Sequence, residues 1–146
     1  MLKILVPVDG SENANRAVKH VVKLYRSDAR IEIHLLNVQI PIDSGHARLF
    51  VSHDELEDYH RDEAIAALAG ARRILDDAGV PYTYHIAVGH VAETIVRYAK
   101  ERGIDKIVMG SHGRTALLQV LLGSVARDVL KHSEVPVTLV KPGPET

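Results

Sequence analysis

Ile107-Val108-Met109-Gly110-Ser111-His112-Gly113 and, nine residues later, Gly123-Ser124-Val125-Ala126-Arg127-Asp128-Val129-Leu130 decide how this chain folds. The apolar triplet reads as the end of a buried strand, and the second block reads as a helix from its first residues. Between them lies a glycine-rich connection. Backbone N–H groups in the first turn of a helix lack intrahelical acceptors, and the helix dipole favours an anion beside them. Glycine lets a backbone approach a ligand closely and take up positive φ. A strand, a glycine loop and a helix start in this order are the parts of a phosphate cradle.

Working outward, the same alternation of strand and helix runs along the whole chain. Leu2–Val8 is a β-branched run that stops at the turn signal Asp9-Gly10-Ser11. Ala14, Ala17, Val18, Val21, Val22 and Tyr25 then recur on one helical face. Ile31–Val38 predicts a second strand and Gln39–Val51 a long loop. Ser52 and Glu55 have the spacing of a capping box, opening a helix that Gly79 closes. Tyr82–Val88 predicts a strand and Val91–Arg102 a helix. Lys106–Met109 is the fourth strand, Ser124–His132 the last helix and Val135–Val140 the fifth strand. Residues 142–146 are expected to form a frayed tail. Alternation of this kind predicts one α/β domain over residues 1–146, a parallel sheet with helices on both faces. Its strands are apolar runs, as expected of strands buried on both sides. In such sheets ligands bind beyond the carboxyl ends of the strands, where the winding reverses. Asp9-Gly10 and Gly110–Gly113 both stand at strand ends and meet in one crevice if those strands are neighbours.

Composition narrows the function. The chain has 146 residues, 46% hydrophobic and 25% charged, enough for one ordinary core. A net charge of −1 argues against nucleic acid or an anionic membrane as the main partner. The absence of cysteine excludes disulfides and thiolate chemistry. No apolar run is long enough to span a membrane, and the strand pattern starts at once after Met1, leaving no room for a signal peptide; a cytoplasmic protein is expected.

Several segments together resemble the universal stress protein family, in its ATP-binding subgroup. They are Ile4-Leu5-Val6-Pro7-Val8-Asp9-Gly10-Ser11, Ile107–Arg114, Leu122-Gly123-Ser124-Val125-Ala126 and Val135-Pro136-Val137. The spacing G-x2-G-x9-G-[ST] matches the family's nucleotide signature without a gap. The resemblance implies an open, Rossmann-like five-stranded parallel sheet in the order 3-2-1-4-5, related to the adenine nucleotide alpha hydrolases. It implies ATP, or AMP or ADP, in the crevice, with a divalent ion (Mg or Mn) carried by the phosphates rather than by the protein. Carried over by position, Pro7, Val8 and Asp9 meet the ribose or adenine, and Val38 lines the adenine pocket. Met109, Gly110, His112, Gly113, Arg114, Gly123, Ser124 and Val125 surround ribose and phosphates, mostly through backbone groups. The family reads as a set of nucleotide-holding modules linked to stress survival, with no strong warrant for turnover and no named protein partner.

Plainer readings stand beside these. Asp9 also suits a turn, Ser124 a helix cap, and Arg114 either a phosphate or solvent. His53, Glu57 and His60 fall at i, i+4, i+7, a spacing shared by metal sites and by solvated helix faces. No G-x4-G-K-[ST], G-x-G-x-x-G or G-x-S-x-G motif is present, which sets aside P-loop, dinucleotide-binding and esterase chemistry. A slow ATPase or phosphotransfer enzyme remains the rival from another class, and an interaction scaffold the third reading. If strand five forms a sheet edge, its apolar Pro136–Val140 needs a cover, and a two-fold homodimer pairing these strands is expected.

Overall fold

The computed structural model describes residues 1–28, 30–42, 52–113 and 122–143. In chain order the elements are β1 (Leu2–Pro7), α1 (Glu12–Ser27), β2 (Ile31–Gln39), α2 (His53–Ala78) and β3 (Thr83–Val88), then α3 (Val91–Glu101), β4 (Lys106–Gly110), α4 (Ser124–His132) and β5 (Val137–Val140). The strands form one sheet in the order β3-β2-β1-β4-β5, every neighbouring pair parallel. Among the described residues no helix is long and apolar enough to cross a membrane.

Local chemistry sets most boundaries. The Ser11 hydroxyl accepts the Ala14 N–H at 3.1 Å and starts α1. The Ser52 hydroxyl accepts the Glu55 N–H at 3.1 Å and starts α2. Gly79, at φ 69°, ends α2 in the left-handed conformation that side chains avoid. The fifth strand begins two residues later than expected. Ser133 Oγ accepts the Val135 N–H and donates to the Val135 carbonyl, while Pro136 has no N–H to give. β1 ends at Pro7, although the Val8 N–H still bonds the Leu36 carbonyl at 2.8 Å.

Two cores flank the sheet. Ile4, Val6, Ile33 and Leu35 meet α1 and α2 through Ala17, Val18, Val21, Leu68, Ala71 and Leu75. Leu5, Leu36, Ile107 and Met109 meet α3 and α4 through Ile95, Ala99, Ala126 and Val129. Alternate residues of β1 thus serve opposite cores, as a strand buried on both faces must. That expectation fails for β3, which is a sheet edge. Its Tyr84 is 40% exposed and Val88 48%, with Ile86 close behind. The helix on that side covers this strand thinly, chiefly by Arg72, whose guanidinium lies 4.3 Å from the Tyr84 ring centre.

Winding reverses between β1 and β4. Their ladder holds only at Ile4↔Lys106 and Leu5↔Ile107, whereas β1 and β2 stay paired from Leu2 to Pro7. Beyond Leu5 and Ile107 the pairing stops, and a crevice opens at the carboxyl ends.

Candidate nucleotide-binding crevice

The crevice has a volume of about 690 Å³, within the range of small-molecule sites. Pro7, Val8 and Asp9 at the end of β1 line it, and Val38 lines it from β2. Met109, Gly110, His112 and Gly113 come from β4 and its loop, and Gly123, Ser124 and Val125 from the start of α4. Arg114 lies outside the described residues. The acid and the glycine loop are direct neighbours: a methyl group added at Gly113 would sit 2.8 Å from Asp9 Oδ2. The other carboxylate oxygen of Asp9 accepts the Ser11 N–H at 2.9 Å, so the turn before α1 aims this carboxylate.

The loop glycines act differently from the expectation of positive φ. Positive φ occurs at Gly10, Gly79 and Gly103, none of them in the cradle. The cradle glycines serve close approach instead. A Cβ at Gly123 would come within 3.2 Å of the His112 Cα and the Ser111 carbonyl, and the Gly123 N–H donates to that carbonyl at 2.7 Å. The residue capping α4 is therefore Gly123, and Ser124 is the first helical residue, not the cap. No side chain caps this helix. Ser124 and Val125, whose first-turn N–H groups have no intrahelical acceptor, line the crevice.

His112 also differs from expectation. Its backbone N–H, expected to face a ligand, donates to Asn13 Oδ1 at 2.7 Å. Its ring Nδ1 lies 2.8 Å from the Ser111 hydroxyl. The His53, Glu57 and His60 trio does not converge on one point. His53 Nε2 sits 3.0 Å from Glu57 Oε1 in the open, while His60 is buried with no hydrogen bond at Nδ1. Among the described residues no cluster of three or more such side chains could hold a metal.

Two buried asparagines shape the site and escaped the reading of the sequence. Asn37 donates to the Val8 carbonyl at 2.8 Å and accepts from Gln39 Nε2 at 2.7 Å, fixing the strand end that carries Asp9. Its signal was a lone amide inside the apolar run Leu35-Leu36-Asn37-Val38. Asn13 stands one turn before Ala17 on the apolar stripe of α1, again a polar residue where a hydrophobic one was due. Ile40, Tyr59 and Glu63 also line the crevice, the last two from α2, whose distance in sequence hid them. A larger groove, about 1070 Å³, runs between α3 and α4. Glu93, Arg97, Lys100 and Asp128 of mixed sign line it, without a glycine cradle.

A five-stranded parallel sheet in the order 3-2-1-4-5, with an acid and an uncapped helix start at its switch point, defines a doubly wound α/β protein with a crevice at the carboxyl ends of its strands. The Universal stress protein family model matches residues 1–141, and the chain belongs to that family. Universal stress protein MJ0577 of Methanocaldococcus jannaschii is 36% identical over 152 residues, covering 95% of this chain and 94% of its own. The solved structure of MJ0577 superimposes with a TM-score of 0.83 at 37% identity, over 99% of this chain and 98% of that one. Universal stress protein UspA from Lactobacillus plantarum gives 0.80 at 26% identity, over 95% and 97%. A universal stress protein from Archaeoglobus fulgidus, solved in complex with dAMP, shares the fold at 24% identity with a TM-score of 0.70, over 97% and 98%.

Proposed function

We propose that the crevice above β1 and β4 holds an adenine nucleotide, ATP, ADP or AMP, and that the protein is a nucleotide-dependent module of the stress response. The carrying observation is that Asp9 Oδ2 fills the space a side chain at Gly113 would need, beside the uncapped start of α4. A carboxylate accepts the hydroxyls of ribose or the amino group of adenine. N–H groups at a helix start donate to phosphate oxygens. Val8, Val38, Met109 and Val125 give the base and sugar apolar walls. The dAMP complex of the Archaeoglobus fulgidus protein shows what a chain of this fold can hold; the reading here rests on the crevice's own residues. A divalent ion, Mg or Mn, travels with the phosphates, since Mg²⁺ keeps most of its shell from water and phosphate.

One specific feature favours turnover as a second reading. Glu63 lines the crevice from α2 and is a carboxylate able to orient water. Isothermal titration of the purified protein with ATP, AMP and GTP, paired with phosphate-release measurements, tests both. Saturable binding of ATP or AMP in preference to GTP is the expected result. No heat with either adenine nucleotide overturns the reading, and phosphate release lost in Glu63→Gln moves the protein to the enzymes.

The same reading includes a homodimer. β5 has β4 on one side and, among the described residues, no strand on the other. Antiparallel pairing of two β5 strands across a two-fold axis satisfies both edges at once.

A further inference from the structure

Asn13 is 6% exposed, does not line the crevice, and yet touches both the glycine loop and the last strand. Its Oδ1 accepts the His112 N–H at 2.7 Å. Its Nδ2 donates to the Val140 carbonyl at 2.8 Å. That same carbonyl accepts the Ser111 N–H at 2.9 Å. Consecutive loop amides, Ser111 and His112, are thus held against the end of β5, one directly and one through the asparagine side chain. The Ser111 carbonyl then accepts the Gly123 N–H at 2.7 Å and carries the constraint to the start of α4.

Gly110 fits this arrangement. A Cβ there would fall 2.8 Å from both Cγ and Oδ1 of Asn13 and 3.1 Å from its backbone carbonyl carbon. The first glycine of the cradle is therefore required by the asparagine that packs on it. An amide is suited to the place because one end must accept and the other donate. Both ends are buried, where an unmade hydrogen bond costs the full desolvation of the group left behind.

We infer that Asn13 is the positioning residue of the nucleotide cradle: it locks the 110–113 backbone to the end of β5, so that ligand affinity and the order of the β5 edge depend on one side chain. The inference deepens the proposed function and rests on it for the ligand. It has a consequence for regulation. Whatever pairs with β5 acts on the Val140 carbonyl and, through Asn13, on the His112 amide; by linkage, nucleotide acts back on β5 to the same extent.

The test uses the full chain with Asn13→Ala, Asn13→Asp and, as a control on the same helix, Asn15→Ala. Two quantities are measured: ATP or AMP affinity by titration, and hydrogen exchange of the His112 and Ser111 amides by NMR in ligand-free protein. Asn13→Ala is expected to weaken binding about tenfold, the size of one buried hydrogen bond left unmade, and to expose the His112 amide to exchange. Asn13→Asp keeps the acceptor for His112 but loses the donor to Val140, so His112 stays protected while binding weakens. Asn15→Ala leaves affinity and His112 exchange unchanged. Gly110→Ala reproduces the Asn13→Ala phenotype, and the double variant is no worse than either single one. Wild-type affinity and His112 protection in Asn13→Ala overturn the inference. If Asn13→Ala does not fold, Asn13→Asp decides: unweakened binding overturns it. Failure of the wild-type protein to bind any adenine nucleotide instead overturns the proposed function, and unchanged His112 exchange in Asn13→Ala then overturns the clamp separately.

Discussion

Gly113 lies where two roles meet. It is exposed to solvent, and its missing side chain is the space that Asp9 Oδ2 occupies. In Gly113→Ala the methyl group would sit 2.8 Å from that oxygen. The atom it meets belongs to a side chain and not to the backbone, so the fold survives, within about 1 kcal/mol of wild type in chemical denaturation. What is lost is the aim of the acid. Adenine nucleotide affinity falls about tenfold or more; affinity equal to wild type would separate Asp9 from the ligand. The three cradle glycines make room for three different neighbours: Asn13 for Gly110, Asp9 for Gly113, and the loop backbone for Gly123. Their spacing was visible in the chain. The partners that require them were not, because Asn13 lies almost a hundred residues from the loop it holds.

At the scale of elements, the β2–β3 pair carries a feature remote from the crevice. Glu32 Oε2 lies 2.7 Å from His34 Nε2, and His34 Nδ1 lies 3.1 Å from His85 Nε2. The Thr83 hydroxyl reaches both rings, and His85 leans on Tyr98 of α3, whose own ring lies under the Arg102 guanidinium. With Glu32 ionised, His34 donates through Nε2 and accepts through Nδ1, so His85 donates from Nε2. Burial holds the His85 imidazole below its ordinary value, and the charges of His34 and Arg102 add to that. A depressed imidazole binds fewer protons folded than unfolded, so its contribution is present above the unfolded value near 6.5 and is lost as pH falls toward the folded value. Denaturation midpoints should therefore drop on going from about pH 7.5 to about pH 5.5, and the drop should shrink in His85→Gln. An equal drop in both proteins removes His85 as the cause.

At the scale of the molecule, the two edge strands of the sheet, β3 and β5, differ in character. β3 exposes Tyr84, Ile86 and Val88 on one face, while every residue of β5 is half-buried. The β5 edge also ends at the Val140 carbonyl, where the clamp on the glycine loop begins. Sedimentation at micromolar concentration is expected to give a dimer. Thr138→Asp, which sets like charges across the two-fold axis, is expected to shift it toward monomer with an unchanged circular dichroism spectrum. A monomeric wild-type protein, or a dimer indifferent to this change, removes β5 as the interface.

Local pattern alone determined the element order, the serine starts of α1 and α2, the glycine stop of α2 and a spaced signature: acid after β1, glycines after β4, helix start at Ser124. These depend on neighbours within a few positions, where periodicity, caps and turns act. Only the tertiary structure decided that β3 is a thinly covered edge, that Gly123 rather than Ser124 caps α4, and that the His112 amide is already taken. Packing across the sheet settles such matters, since a hydrogen bond between residues far apart in the chain, such as Asn13 with His112 or Val140, leaves no periodic trace in the order of the residues.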